Sequence, residues 1–194
     1  MIIVGYQGIG KSTLAKNGNG FIDLESSNFF VNGVRQNDWY IPYCNIAMNL
    51  SEQGYTVFVS SHECVRNYLS FHADQARLVI ICPSLRLKDQ WIEKLEKRYQ
   101  DTGLVKDYKA MMNAKDRYEE NIKELMNTVG FEIFQIDTMD YKLSEVIATF
   151  AAQPRISMKC SCFQVEYGKT VCYGTKEREE CSCGGDKGKC NFYR

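Results

Sequence analysis

An α/β domain built around a parallel sheet is the fold class that the first 152 residues predict. Five short apolar runs, over residues 1–4, 21–24, 55–59, 77–82 and 131–136, have the length and composition of strands. The intervals between them carry apolar residues at helical spacing. Near Gln153-Pro154 this alternation stops, and six of the nine cysteines crowd into residues 160–190. The chain therefore divides into an α/β domain, 1–152, and a cysteine-rich tail, 153–194.

The elements are expected in the following order. Met1 to Val4 forms the first strand, of the type buried on both faces. A short helix runs from Lys11 to Lys16, ended by the breaker Asn17-Gly-Asn-Gly20. Phe21 to Leu24 is the second strand, and Ser26 to Asn37 is irregular. Asp38 is the expected N-cap of a helix through about Gln53, with Trp39, Tyr43, Ile46, Ala47 and Leu50 on its apolar stripe. Tyr55 to Val59 is the third strand, and Ser60-Ser61-His62-Glu63 opens the next helix. Arg77 to Cys82 is the fourth strand, closed by Pro83. Two charged helices follow, about Leu85 to Tyr99 and Val105 to Asn127, separated by Gln100-Asp-Thr-Gly103. Phe131 to Ile136 and a helix from Ser144 to Ala152 complete the domain.

Bulk properties narrow the function classes. The 194 residues are 44% hydrophobic and 25% charged, with a formal net charge of zero. A balanced charge offers no electrostatic case for nucleic acid or membrane over the chain as a whole. No apolar run approaches a membrane span, so no membrane partner is expected. A strand beginning at residue 2 leaves no room for a secretion signal, and a cytoplasmic location is expected.

The most informative stretch joins the first strand to the first helix. Gly5 to Ser12 spells G-x-x-x-x-G-K-S, the phosphate-binding loop. Glycines let the backbone curl around an anion and aim N–H groups inward, and the following helix start adds its positive end. Gly5, Gln7, Gly8, Ile9, Gly10, Lys11, Ser12 and Thr13 are thus the nucleotide-binding candidates. Lys11 is expected to reach the β- and γ-phosphates, Ser12 to take a place on Mg²⁺, and Thr13 to help hold the α-phosphate.

Over residues 1–152 the chain resembles the nucleoside monophosphate kinase-like group of P-loop proteins. The resemblance rests on the loop at the N-terminus, the acidic pair Asp23-x-Glu25 closing the second strand, and the short five-strand domain. A helical pair after the fourth strand, bearing arginines, adds to it. It implies a three-layer domain with sheet order 2-3-1-4-5 and a mobile lid over about 85–127. It also implies an ATP-dependent, Mg²⁺-requiring phosphotransferase. Arg98 and Arg117 stand where similar kinases carry lid arginines that close on the phosphates; as residues alone they read equally as a solvated helix face. Asp23 is the expected catalytic carboxylate and a second Mg²⁺ contact. Glu25, Arg35, Trp39, His62 and Arg66 are the acceptor-side candidates, although Trp39 at helical spacing also fits a core position. The third strand ends in Ser60-Ser61-His62 where many P-loop enzymes have an acidic metal residue, a departure from the family pattern.

The tail reads Cys-x-Cys-x9-Cys-x8-Cys-x-Cys-x6-Cys. Cys160, Cys162, Cys172, Cys181, Cys183 and Cys190 are candidate Zn²⁺ ligands, because dense thiols in a cytosolic chain point to metal before disulfides. With few aliphatic residues, the tail would take its folding energy from metal. From Pro154 onward it holds eight Lys or Arg against five Asp or Glu, with Phe163, Tyr173, Phe192 and Tyr193, a composition open to nucleic acid or a protein partner. The functional expectation is an ATP-dependent phosphotransferase acting on a nucleotide or similar small acceptor. The alternatives are a regulatory nucleotide-binding module that presents a zinc tail to nucleic acid or protein, and a polynucleotide kinase.

Overall fold

The computed structural model describes residues 1–152 apart from 19, 33, 74 and 75, together with the backbone of 163–166 and 169–172. The first 152 residues form one compact unit and residues 153–194 another.

In the first unit the order is β1 (Ile2–Gly5), α1 (Lys11–Lys16), β2 (Phe21–Asp23), α2 (Tyr40–Glu52), β3 (Thr56–Val59) and α3 (Glu63–His72). β4 (Leu78–Pro83), α4 (Lys88–Thr102), α5 (Val105–Met126), β5 (Glu132–Ile136) and α6 (Leu143–Ala151) follow. The sheet order is β2-β3-β1-β4-β5, and every pairing in it is parallel. This is the order implied by the resemblance. In β1 and β4 every residue is buried, as a parallel strand with helices against both faces must be. The β-branched and apolar side chains of Ile2, Ile3, Val57, Phe58, Val79, Ile80 and Ile81 form the centre of the core.

The strand ends matter most for function. All five strands run the same way, so their carboxyl ends share one edge of the sheet. The loop 6–10, the segment after Asp23, and Ser60 to His62 all emerge there. The two charged helices are built into the core. Trp91 and Leu95 of α4 and Met111, Ala114, Tyr118, Ile122 and Leu125 of α5 are buried with the sheet residues. Their apolar stripes thus face inward, and the Lys, Arg and Glu between them face out.

Three boundaries differ from the sequence expectations. α2 begins at Tyr40 without a side-chain cap. The Trp39 ring is 5% exposed and lies 5.3 Å from Tyr43, so burial of that ring sets the entry into the helix rather than Asp38. Pro83 is the last residue of β4, paired with Ile136, at a strand end where its missing N–H costs little. α4 continues to Thr102, and Gly103, at φ 64°, ends it by donating its N–H to Tyr99 O at 2.8 Å. Near its middle α5 leaves helical geometry at Arg117.

In the second unit, β6 (Phe163–Glu166) and β7 (Lys169–Cys172) pair antiparallel, with Phe163 opposite Cys172 and Glu166 opposite Lys169. Among the described residues no helix is long and apolar enough to cross a membrane.

A core centred on β4 makes a graded stability prediction. Ile80→Ala, at a fully buried position, should lower unfolding free energy by about 2–5 kcal/mol. Val105→Ala, at a position 68% exposed, should stay within about 0.5 kcal/mol. Urea denaturation followed by circular dichroism measures both.

Candidate functional site

The loop between β1 and α1 is held from behind. Trp91 Nε1 of α4 donates to Gln7 O at 2.9 Å, and the Tyr141 hydroxyl donates to Ile9 O at 3.0 Å. The Gln7 side chain donates to Ala110 O of α5 at 2.7 Å. Two glycines are required by this geometry. Gly8 has φ 84°, and a Cβ there would lie 2.9 Å from Leu95 Cδ2; Gly10, at φ 101°, is the left-handed residue that starts α1. With the carbonyls of Gln7 and Ile9 engaged outward, the amides of Gly8 and Gly10 make no hydrogen bond among the described residues. They are donors without partners beside a cleft.

That cleft, about 220 Å³, is lined by the loop and by Lys11, Ser12, Thr13, Asp23, Glu25, Ser60, Arg98 and Lys106. Lys11 folds over the loop, its Nζ 2.6 Å from Gly5 O and 3.3 Å from Tyr6 O. Burial pushes its ammonium down to about 8; Asp23 opposes the shift and Arg98 adds to it. The Ser12 hydroxyl donates to Asp23 Oδ2 at 2.5 Å. A hydroxyl and a carboxylate side by side are hard oxygen donors, a set that suits Mg²⁺ when phosphate and water oxygens complete its shell. Among the described residues, no three Asp, Glu, His or Cys side chains converge to hold a metal by themselves. Arg98 reaches the cleft from α4, anchored on Asp107, which is 2% exposed and also accepts from Thr102 Oγ1 at 2.6 Å. These contacts hold the Asp107 carboxyl below its usual range against the opposing effect of its own burial.

A larger cavity, about 590 Å³, lies alongside, and Gln7, Glu25 and Lys106 line both. Its wall includes Arg35, His62, Arg66, Lys109 and Arg117. Arg66 is 4% exposed, pairs with Glu124, and donates to Ser61 O. Its buried Nε has no partner among the described residues. Arg35 packs its guanidinium 4.8 Å from the ring centres of both Phe30 and Trp39. Arg117 pairs with Glu120 on its own helix at 2.6 Å.

The structure thus brings most of the predicted residues to one edge but sorts them. Gln7, Gly8, Ile9, Gly10, Lys11, Ser12, Thr13, Asp23 and Arg98 line the smaller cleft, while Gly5 ends β1 and does not line it. Arg35, His62, Arg66 and Arg117 line the larger, and Glu25 lines both. Arg98 and Arg117, expected to act together, belong to different cavities. Gln7 points its amide at α5, and Trp39 is a core ring that supports Arg35 and His62. Sequence reasoning missed Lys106 and Lys109, two turns and one turn short of Asn113 on the cavity-facing side of α5. Tyr43 is in the core, as its place on the helix stripe predicted, and its hydroxyl donates to Leu24 O and accepts from Ser60 N, both at 2.8 Å. The helical spacing that marked Tyr43 as core concealed its polar end. Of the cysteines predicted to bind zinc, Cys172 lies in β7; Cys160, Cys162, Cys181, Cys183 and Cys190 lie outside the described residues.

Compared with known proteins, the chain matches no protein-family model and no curated relative.

The buried ammonium gives a direct prediction. In a ¹³Cε NMR titration Lys11 should lose its charge near pH 8 rather than at its ordinary 10.5. Asp23→Asn, which removes the anion favouring the charged form, should move the midpoint lower still.

Proposed function

We propose that the chain is a Mg²⁺-dependent phosphotransferase that moves the γ-phosphoryl group of ATP to a nucleotide or similar small anionic acceptor. The observation that carries this reading is the pair of adjoining cavities. One has the glycine loop, Lys11 and the Ser12–Asp23 pair; the other has the Arg35–His62–Arg66 wall. In phosphoryl transfer the protein's contribution is positioning and positive charge. The free amides of Gly8 and Gly10 and the ammonium of Lys11 suit the β- and γ-phosphates. Arg98, tied to Asp107, presents charge without having to be ordered first. Ser12 and Asp23 would hold Mg²⁺, which supplies charge neutralisation to the phosphates when bound.

An acceptor anion in the larger cavity would meet Arg66 and Arg35, with Lys106 at the boundary. Its oxygen then forms a bond to the γ-phosphorus while the bond to the β–γ bridging oxygen breaks, and that electron pair leaves on ADP. Where the acceptor oxygen carries a proton, Glu25, which lines both cavities, would take it. Arg117 contributes charge on the acceptor side.

An ADP-release assay over nucleoside monophosphates, nucleosides and 5′-hydroxyl oligonucleotides tests the proposal. Acceptor-stimulated release is expected, falling by about 10²–10³-fold in Lys11→Ala. Arg66→Lys, which keeps the charge but loses the planar fork, should raise the acceptor KM more than it lowers kcat. No stimulation by any of these acceptors would refute a transferase acting on them. Turnover confined to the 5′-hydroxyl oligonucleotides would identify the polynucleotide kinase alternative.

A second reading is favoured by one departure from the family pattern: β3 ends at Val59, and Ser60 follows in place of an acidic residue. In that reading nucleotide occupancy serves to present a zinc-bound tail to nucleic acid or a protein. Elemental analysis of protein prepared without chelator should find at least one zinc per chain through the thiols of Cys160, Cys162, Cys172, Cys181, Cys183 and Cys190. Loss of nucleic-acid retention on deleting 154–194, with no phosphotransfer in either form, would favour this reading over the transferase.

A further inference from the structure

The wall between the two cavities contains a chain of three side chains whose hydrogen-bond directions can be worked out from chemistry. Arg35 Nη1 lies 2.8 Å from His62 Nε2, and His62 Nδ1 lies 2.6 Å from Ser60 Oγ. A guanidinium only donates. His62 Nε2 must therefore accept and carries no proton. Burial, followed by the charges of Arg35 and Arg66, lowers the His62 pKa, so the ring is neutral at pH 7 and its one proton sits on Nδ1. That proton is donated to Ser60 Oγ. The hydroxyl of Ser60 is thereby barred from donating to the imidazole, and its own hydrogen must point elsewhere.

Ser60 itself is well fixed. Its N–H donates to the Tyr43 hydroxyl at 2.8 Å, and its residue lines the smaller cleft beside Lys11, Ser12 and Asp23. The other end of the chain is also constrained, since the Arg35 guanidinium lies 4.8 Å from the ring centres of both Phe30 and Trp39, and the Trp39 ring meets His62 edge-on at 5.3 Å.

We infer that Ser60 is a binding residue of the phosphate cleft and that Arg35, acting through the tautomer of His62, is the positioning residue that turns the Ser60 hydroxyl proton toward the ligand. Arg35 and His62 line the larger cavity and Ser60 the smaller, so the chain links the two sites. Arg35 and His62, expected from sequence to touch the acceptor, thus have a second task in setting a donor on the nucleotide side. The inference rests on the proposed function for the identity of the cleft's ligand, but its hydrogen-bond directions do not.

The test uses the full-length chain. Because the sequence has two histidines, His72→Gln leaves His62 as the single imidazole. Long-range ¹H–¹⁵N correlation at pH 7.5 should then show a protonated Nδ1 and an unprotonated Nε2. Adding Arg35→Met should shift the population toward the Nε2–H form. A protonated Nε2 with Arg35 present, or a tautomer indifferent to Arg35→Met in folded protein, overturns the inference. Calorimetry with Mg-ADP reads the other end: Ser60→Ala should weaken binding by about tenfold, the loss of one hydrogen bond to a charged group. Equal affinity overturns the assignment of Ser60 as a ligand contact. Failure of the wild-type chain to bind Mg-ADP overturns the nucleotide reading itself, whatever tautomer His62 adopts.

Discussion

The site depends on how the loop carbonyls are restrained. A glycine-rich turn can present either its C=O or its N–H groups to a cleft, and isolated glycines allow both. Here the carbonyls of Gln7 and Ile9 are taken by Trp91 and Tyr141. The Gln7 side chain is latched to α5. Those three contacts come from residues more than eighty positions downstream, and they settle which polar groups face inward. A loop with its amides free and its carbonyls engaged has the arrangement that the proposed phosphate binding requires, set before any ligand arrives. Preorganisation of that kind avoids an ordering cost at binding.

Concentrating cations at the same edge has an energetic consequence. Lys11, Arg66, Arg98 and Lys106 surround two adjoining cavities, and burial disfavours the charged form of Lys11 in particular. Each cation is stabilised differently. Arg98 rests on buried Asp107, and Arg66 pairs with Glu124. Lys11 has backbone carbonyls and the nearby carboxylates of Asp23 and Glu25. Arg98 and Arg66, already paired, act as fixed charges whose positions the fold determines.

The helices over 85–127 illustrate how one pattern serves two purposes. The resemblance implies a mobile lid here, and the same segments carry Trp91, Leu95, Tyr118 and Ile122 in the core. Buried rings and aliphatics anchor α4 and α5, and the intervening residues Arg98, Lys106 and Arg117 are projected at set positions around the cavities. Arg98 and Arg117 stand on different helices, Arg98 on the wall of the smaller cleft and Arg117 on that of the larger.

What the sequence determined by itself was the periodic part. The alternation of apolar runs and helical stripes specified five strands and their helices, because burial on a sheet or a helix face imposes a period that side chains must obey. The spacing of Gly5, Gly10, Lys11 and Ser12 marked the loop, since its tight backbone leaves few residue types admissible. Only the tertiary structure decided which side chains share a cavity. It put Lys106 and Lys11 on one cleft, separated Arg98 from Arg117, and gave the core ring of Tyr43 a second task as the clasp that fixes Ser60. Those relations join residues far apart in the chain through side-chain geometry at the strand ends, and no local period encodes them.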